Sequence, residues 1–265
     1  MIRDHYVSQF YLEGFTDPSS PKQLLSVYLK ALRAWKRLTP KNVGVETGYY
    51  TISTEDGQKH RGIEKALSEI ESRAATIIRE RIKSRTLLSD EERVHFGIFV
   101  ATMLERVPST IDNLGDAYRK TADLVRRWGT EVPESADDPQ TGVLAQTMLK
   151  IAFDTTAPIL LGMSWRFVFL ESYLATSDRP VCMIDPTNPG PMPSGLLSEG
   201  MQVWFPLTRD ILFMATHFDA SPLEYVSQPA EWIAGQANKL TLRSARRFVA
   251  APDESFEGAT ELQVS

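Results

Sequence analysis

The sequence predicts an α+β protein in which an antiparallel sheet built from both ends of the chain packs against a central helical block. Three observations carry that prediction. Short runs rich in β-formers fill the first sixty or so residues and return after residue 163. Between them, apolar residues recur at helical spacing. The N-terminal strands are too few to bury both faces alone, so pairing with the C-terminal strands is the economical solution. One domain over 1–252 is expected, with its helical block at 62–162, followed by a disordered acidic tail at 253–265.

Each element follows from local pattern. Tyr6 to Phe15 reads as a short helix, stopped by Gly14 and Asp17-Pro18. Leu24 to Leu29 and Ala34 to Leu38 read as paired strands, and Val43 to Ile52 as a third. From Gly62 to about Thr86, Ile63, Leu67, Ile70, Ala74, Ile77 and Ile82 form a helical stripe. Ser89 with Glu92 three residues on is a capping box, opening a helix through Arg106. Thr110 to Trp128 and Thr141 to about Leu161 read as two more helices, separated by the polar loop Glu131 to Pro139. "WRFVFLES", "RPVCMI", "MQVWFPLT" and "DILFMAT" read as strands, interrupted by the Pro- and Gly-rich loop Asp185 to Gly200. A final helix is expected over about Pro229 to Arg247.

Composition narrows the classes. A net charge of -5 disfavours bulk attraction to nucleic acid or anionic membranes, leaving only local basic patches. The single cysteine, Cys182, cannot make an internal disulfide and fits a reducing compartment. Arg3, Asp4 and His5 stand where a signal peptide needs an apolar core. The longest apolar-rich stretch, Ala157 to Leu170, is too short to span a bilayer. A cytoplasmic protein without a membrane segment is expected. Gly-rich phosphate loops, dinucleotide fingerprints and Cys-x-x-Cys pairs are missing, which disfavours phosphotransfer from nucleotides and dinucleotide redox chemistry.

Certain polar residues stand out. Glu71 lies about sixteen residues before the turn near Leu87, Glu64 about twenty-three, and Arg106 about nineteen after it. In an antiparallel helical hairpin, Arg106 therefore sits at a height between the two glutamates, which share a face. The cluster either clamps the hairpin, or fixes an anionic ligand through Arg106 or a divalent metal through Glu64 and Glu71. His5 and Gln9 are four residues apart, so on one helix both project the same way. His5 is either a structural hydrogen-bond partner or, with Gln9, a general-base pair. In "TSDRP", Ser177 and Asp178 either cap a turn, or Asp178 faces a cleft as base or metal ligand with Ser177 beside it. Lys239, Arg243, Arg246 and Arg247 form a solvated face or a phosphate contact, and Asn238 reads as a buried amide or a ligand contact. His60, His95 and His217 show no zinc spacing with His5 or Cys182.

"HYVSQFYLEGF" resembles a His-x-Val-Pro-Gln-x-x-Leu-x-x-Phe pattern, "IEKALSEIE" an acidic helix start, and "TSDRPV", "FPLTRD" and "ANKLTLRSARRFV" the later landmarks. In this order they resemble the bacterial family known as domain of unknown function 4238, over nearly the whole chain. The resemblance implies a shared fold and shared polar positions, without an established reaction. Ser8 replaces the usual Pro, which loosens the helix start, and Arg179 stands where the pattern often has Asn, beside Asp178.

Together these residues point to a metal-assisted phosphodiester hydrolase, a nuclease-like effector. His5 would be the base, Glu64, Glu71 and Asp178 the ligands of Mg²⁺ or Mn²⁺, and Arg106 or Arg246 the phosphate contact. The competing expectation is a non-catalytic module that senses a small anionic ligand or a protein partner.

Overall fold

The structure is a computed structural model, and it describes residues 3–54, 56, 58–188, 194–217, 225–227, 231–256, 258–260 and 262. The chain begins in β1 (Arg3–His5) and enters α1 (Gln9–Glu13) after Ser8. This helix is shorter than the Tyr6–Phe15 segment expected. The amides of Tyr6 and Val7 bond to the Gly44 carbonyl (2.9 and 3.4 Å) instead of opening a helix. Next come β2 (Leu25–Leu29) and β3 (Ala34–Leu38), an antiparallel pair turned by Arg33 at φ 48°. β4 (Val45–Thr47) pairs antiparallel with β1 and places Glu46 opposite Asp4. The single strand expected over Val43–Ile52 breaks after Thr47. Gly48 takes φ 67°, which suits a residue without a Cβ, and the turn tucks Tyr49 and Tyr50 inside. β5 (Ile52–Ser53) and β6 (Lys59–His60) form a small ribbon.

The helical block begins with α2 (Gly62–Ile77), which continues through a π turn at Ile78–Ile82. The capping box opens α3 (Asp90–Glu105): Ser89 Oγ accepts from the Glu92 amide (3.2 Å), and Glu92 accepts from the Ser89 amide (2.8 Å). α4 (Pro108–Arg127) starts on a proline that needs no amide partner there. α5 (Thr141–Ile151) passes through a π turn, Ala152–Thr156, into α6 (Ala157–Leu161). Pro158 lacks the amide hydrogen that the α register requires, and the ladder shifts just ahead of it. Gly142 in the first turn of α5 lies so near β5 that a Cβ would stand 2.5 Å from the Thr51 carbonyl oxygen. Gln140 completes that junction by pairing its amide with both backbone groups of Ser53 at 2.8 Å.

The last third contributes β7 (Ser164–Phe169), β8 (Thr176–Ser177), β9 (Cys182–Ile184), β10 (Gln202–Thr208), β11 (Ile211–Thr216), β12 (Tyr225–Ser227), α7 (Glu231–Ser244) and β13 (Phe248–Ala251). The sheet from both chain ends has the order β3-β2-β13-β8 and is antiparallel throughout. The described residues also form a second large sheet, β12-β7-β11-β10-β9, drawn from the C-terminal third alone, with β12 parallel to β7. The hairpin β10–β11 is long enough to seed that second sheet locally, without help from the N-terminus.

α3 is the hub. Phe96 meets Trp165, Phe167 and Phe213 with ring centroids 5.3–5.7 Å apart, and Phe99 meets Phe10 and Phe205. Such edge-on pairs add about 0.5–1.5 kcal/mol each beyond simple burial. Tyr11 ties α1 to both sheets: its hydroxyl donates to the Pro206 carbonyl (2.7 Å) and lies 2.6 Å from the Thr176 hydroxyl. In the segment expected to be disordered, Phe256, Ala259 and Leu262 are buried in a small cluster with Tyr28 and Leu242. Among the described residues, no helix is long and apolar enough to cross a membrane.

Candidate functional site

The expected residues divide into two groups. The first gathers where β1 lies beside α2. Arg106, the C-cap of α3, is only 1% exposed and donates from Nη1 to Glu71 Oε1 at 2.7 Å. Its Nη2 faces Met103 Sδ at 3.2 Å. Burial alone would lower the Arg106 pKa, but the carboxylate of Glu71 and the nearby Tyr50 outweigh it and hold the guanidinium charged. His5 ends β1 half-buried, where the charges of Glu71 and Arg106 act on it. Burial lowers its pKa against the opposing pull of Glu71, which favours the neutral imidazole.

Glu64 does not share Arg106 with Glu71, as the helix spacing had suggested. Arg61, three residues earlier at the start of α2, reaches it first and ion-pairs with it. The same guanidinium lies 3.5 Å from Asp4 Oδ1. Burial, and then the hydrogen-bonded Asp4 carboxylate, raise the Glu64 pKa. Asp4, Tyr49 and Tyr50 belong to this region and were missed from the sequence. Asp4 is buried and its Oδ2 accepts from the Tyr50 amide at 3.2 Å. The Tyr50 hydroxyl donates to the His5 carbonyl at 3.3 Å. Burial raises the pKa of both tyrosines, so both stay neutral donors. Four buried atoms here accept or donate no hydrogen bond among the described residues: Asp4 Oδ1, which has only the Arg61 ion pair at 3.5 Å, His5 Nε2, Tyr49 Oη and Arg106 Nε.

Gln9 is not part of the cluster. It is exposed and donates to Glu13 Oε1 at 3.2 Å. His5 is in a strand and Gln9 opens a helix, so the four-residue spacing does not align them.

The second group does backbone work. Asp178 is 1% exposed, and its Oδ1 accepts from the amides of Arg246 (3.0 Å), Arg247 (2.9 Å) and Phe248 (3.2 Å). It is thus no cleft-facing base or metal ligand; it fixes the turn from α7 into β13. The Ser177 hydroxyl is likewise taken, between the amide and carbonyl of Arg179 at 3.1 Å each. Asn238 accepts from the Ala175 amide (2.8 Å) and donates to the Tyr173 carbonyl (3.0 Å), holding β8 against α7 rather than a ligand. Arg246 is exposed and joins this knot only through its amide. Arg247 links the two groups: it ion-pairs with Glu46, and its guanidinium lies 5.3 Å above the Tyr6 ring. The Tyr6 hydroxyl is pushed up to about 12, chiefly by burial.

The residues do not fit a divalent-metal centre. Glu64 and Glu71 are each engaged by an arginine, and Asp178 by amides. Among the described residues, no three His, Cys, Asp or Glu side chains converge as a metal site would require.

An α+β chain with this arrangement defines a class by fold and polar positions rather than by a known reaction. The chain belongs to the family described as "Protein of unknown function (DUF4238)", whose pattern matches residues 3–255. No curated protein and no solved structure matches it.

Proposed function

We propose that the protein is a hydrolase of an anionic, phosphodiester-type substrate, working by general acid–base catalysis where β1 meets α2. The observation that carries this reading is the opposed tuning of two groups linked through Asp4, which adjoins His5 in β1 and acts on Glu64. Burial drives His5 toward neutrality, and burial with Asp4 drives Glu64 toward its protonated form. A neutral imidazole can accept a proton and a protonated carboxyl can give one, the two roles that general acid–base catalysis needs. His5 takes a proton from the attacking water as its oxygen bonds to phosphorus. Glu64 gives its proton to the leaving oxygen as the P–O bond breaks. Arg61, whose side chain is 41% exposed, and Arg3 meet the phosphate charge from the solvent side. Arg106 anchors Glu71 beneath them. These local cations offset the acidic net charge of the chain, so a nucleic-acid strand or a smaller phosphodiester is the substrate class. These steps need neither magnesium nor manganese.

One observation favours the second reading, a non-catalytic module for a small anionic ligand or protein partner. Arg106 is sealed from solvent behind Glu71, as a sensing or clamping residue would be. A panel of bis(p-nitrophenyl) phosphate, single- and double-stranded DNA, and RNA separates the two. Turnover by the wild type, lost about 10²-fold or more in His5→Gln, is the expected outcome. The melting temperature of that variant should stay within about 2 °C of the wild type. Binding without turnover across the panel assigns the module instead.

A further inference from the structure

A concave surface lies apart from His5. Glu105 immediately precedes Arg106 but lines a cleft of about 390 Å³ to which Arg106 does not contribute. That volume falls within the usual range for small-molecule sites. Leu104, Ile159 and Met183 supply apolar walls, while Glu105, Thr156 and Arg179 supply polar groups. The lining comes from the end of α3, the start of α4, the π turn and α6, the segment from β8 to β9, and residues 195–197.

The state of Arg179 gives the cleft its chemistry. Elsewhere, Arg106 is committed to Glu71 and Arg247 to Glu46. Arg179 is half-buried, yet no hydrogen bond or ion pair among the described residues engages its guanidinium. A partly desolvated guanidinium gains most from a planar or tetrahedral oxyanion bound through two N–H groups. Glu105 does not compensate this charge across the cleft. Its Oε1 accepts from the Thr156 hydroxyl at 2.7 Å instead, and burial raises its pKa. Met183 is 46% exposed, so the cleft opens to solvent at that wall.

We propose that this cleft binds a small amphipathic organic anion, its oxyanion on Arg179 and its apolar body against Leu104, Ile159 and Met183. The site is independent of the proposed hydrolytic centre. Titration calorimetry of the full chain with octanoate, octyl phosphate and octanol tests it. At least one of the two anions should bind, with octanol about tenfold weaker or worse, and the tighter anion identifies a carboxylate or a phosphate monoester as the natural headgroup. Arg179→Gln and Met183→Asp should each weaken anion binding about tenfold or more, and Arg179→Lys, which keeps the charge but not the fork, by less. His5→Gln should leave it unchanged. Failure of both anions to bind at millimolar concentration, equal binding of octanol, undiminished binding by folded Arg179→Gln, or loss of binding in His5→Gln would each overturn the proposal. If Arg179→Gln fails to fold, undiminished binding by folded Met183→Asp does so.

Discussion

The knot around Asp178 and the face around His5 are both polar, partly buried and assembled from distant parts of the chain. They differ in how completely their groups are partnered. At the knot, one carboxylate oxygen meets three amides, and Asn238 matches an acceptor to a donor and a donor to an acceptor. At the face, buried atoms of Asp4, His5, Tyr49 and Arg106 make no hydrogen bond among the described residues, and His5 and Glu64 are shifted toward neutrality. Structural polar residues need complete satisfaction, because each orphaned buried group costs about 1–3 kcal/mol. Groups retained at such a cost are the better candidates for chemistry.

The largest effect should come from the knot. Asp178→Ala strands three amides, that of Phe248 buried, and should cost about 3–5 kcal/mol of stability, read from the urea midpoint. Asp178→Asn keeps an acceptor and should cost less. A cost below about 1 kcal/mol for Asp178→Ala would erase the distinction between the two regions. Next in size is the Arg106–Glu71 pair, which a double-mutant cycle can dissect. Arg106→Met should cost about 2–4 kcal/mol, and adding Glu71→Gln should recover part of it, since the uncompensated carboxylate is then neutral. Additive costs would mean that the pair is not coupled. The smallest effect is the pH response of His5. Its folded pKa is lowered, so the folded state binds fewer protons near the ordinary imidazole range. The corresponding stability is present above that range and is lost as pH falls through it toward the folded value. Urea curves between about pH 8 and pH 5 should show this decline, reduced in His5→Gln. Turnover, if His5 is the base, should fall over the same acidic limb.

Much of the framework was legible because its causes are local. The Ser89–Glu92 box, the apolar stripe of α2 and the strands β2, β3, β10 and β11 follow from spacing over a few residues. The height argument correctly brought Glu71 to Arg106, since an antiparallel hairpin preserves distance from its turn. It failed for Glu64 because a nearer cation, Arg61, competed at three residues' separation. Gln9 was misplaced because the change from strand to helix at Ser8 breaks any common periodicity. Asp4 did carry a signal: an acid embedded beside His5, in a stretch that also had to bury Tyr6 and Val7, needed an internal partner.

The amino-acid order by itself determined the α+β class and the helical hairpin with its cap, because periodicity and capping act over one or two turns; the pairing of both chain ends followed from N-terminal strands too few to stand alone. Only the tertiary structure decided which polar residues are satisfied. Asp178 became a clamp because α7 and β13 bring three amides to one oxygen, while His5 stayed unsatisfied beside the Glu71–Arg106 pair. Hydrogen-bond satisfaction depends on groups brought together from opposite ends of the sequence, and local spacing does not encode their meeting.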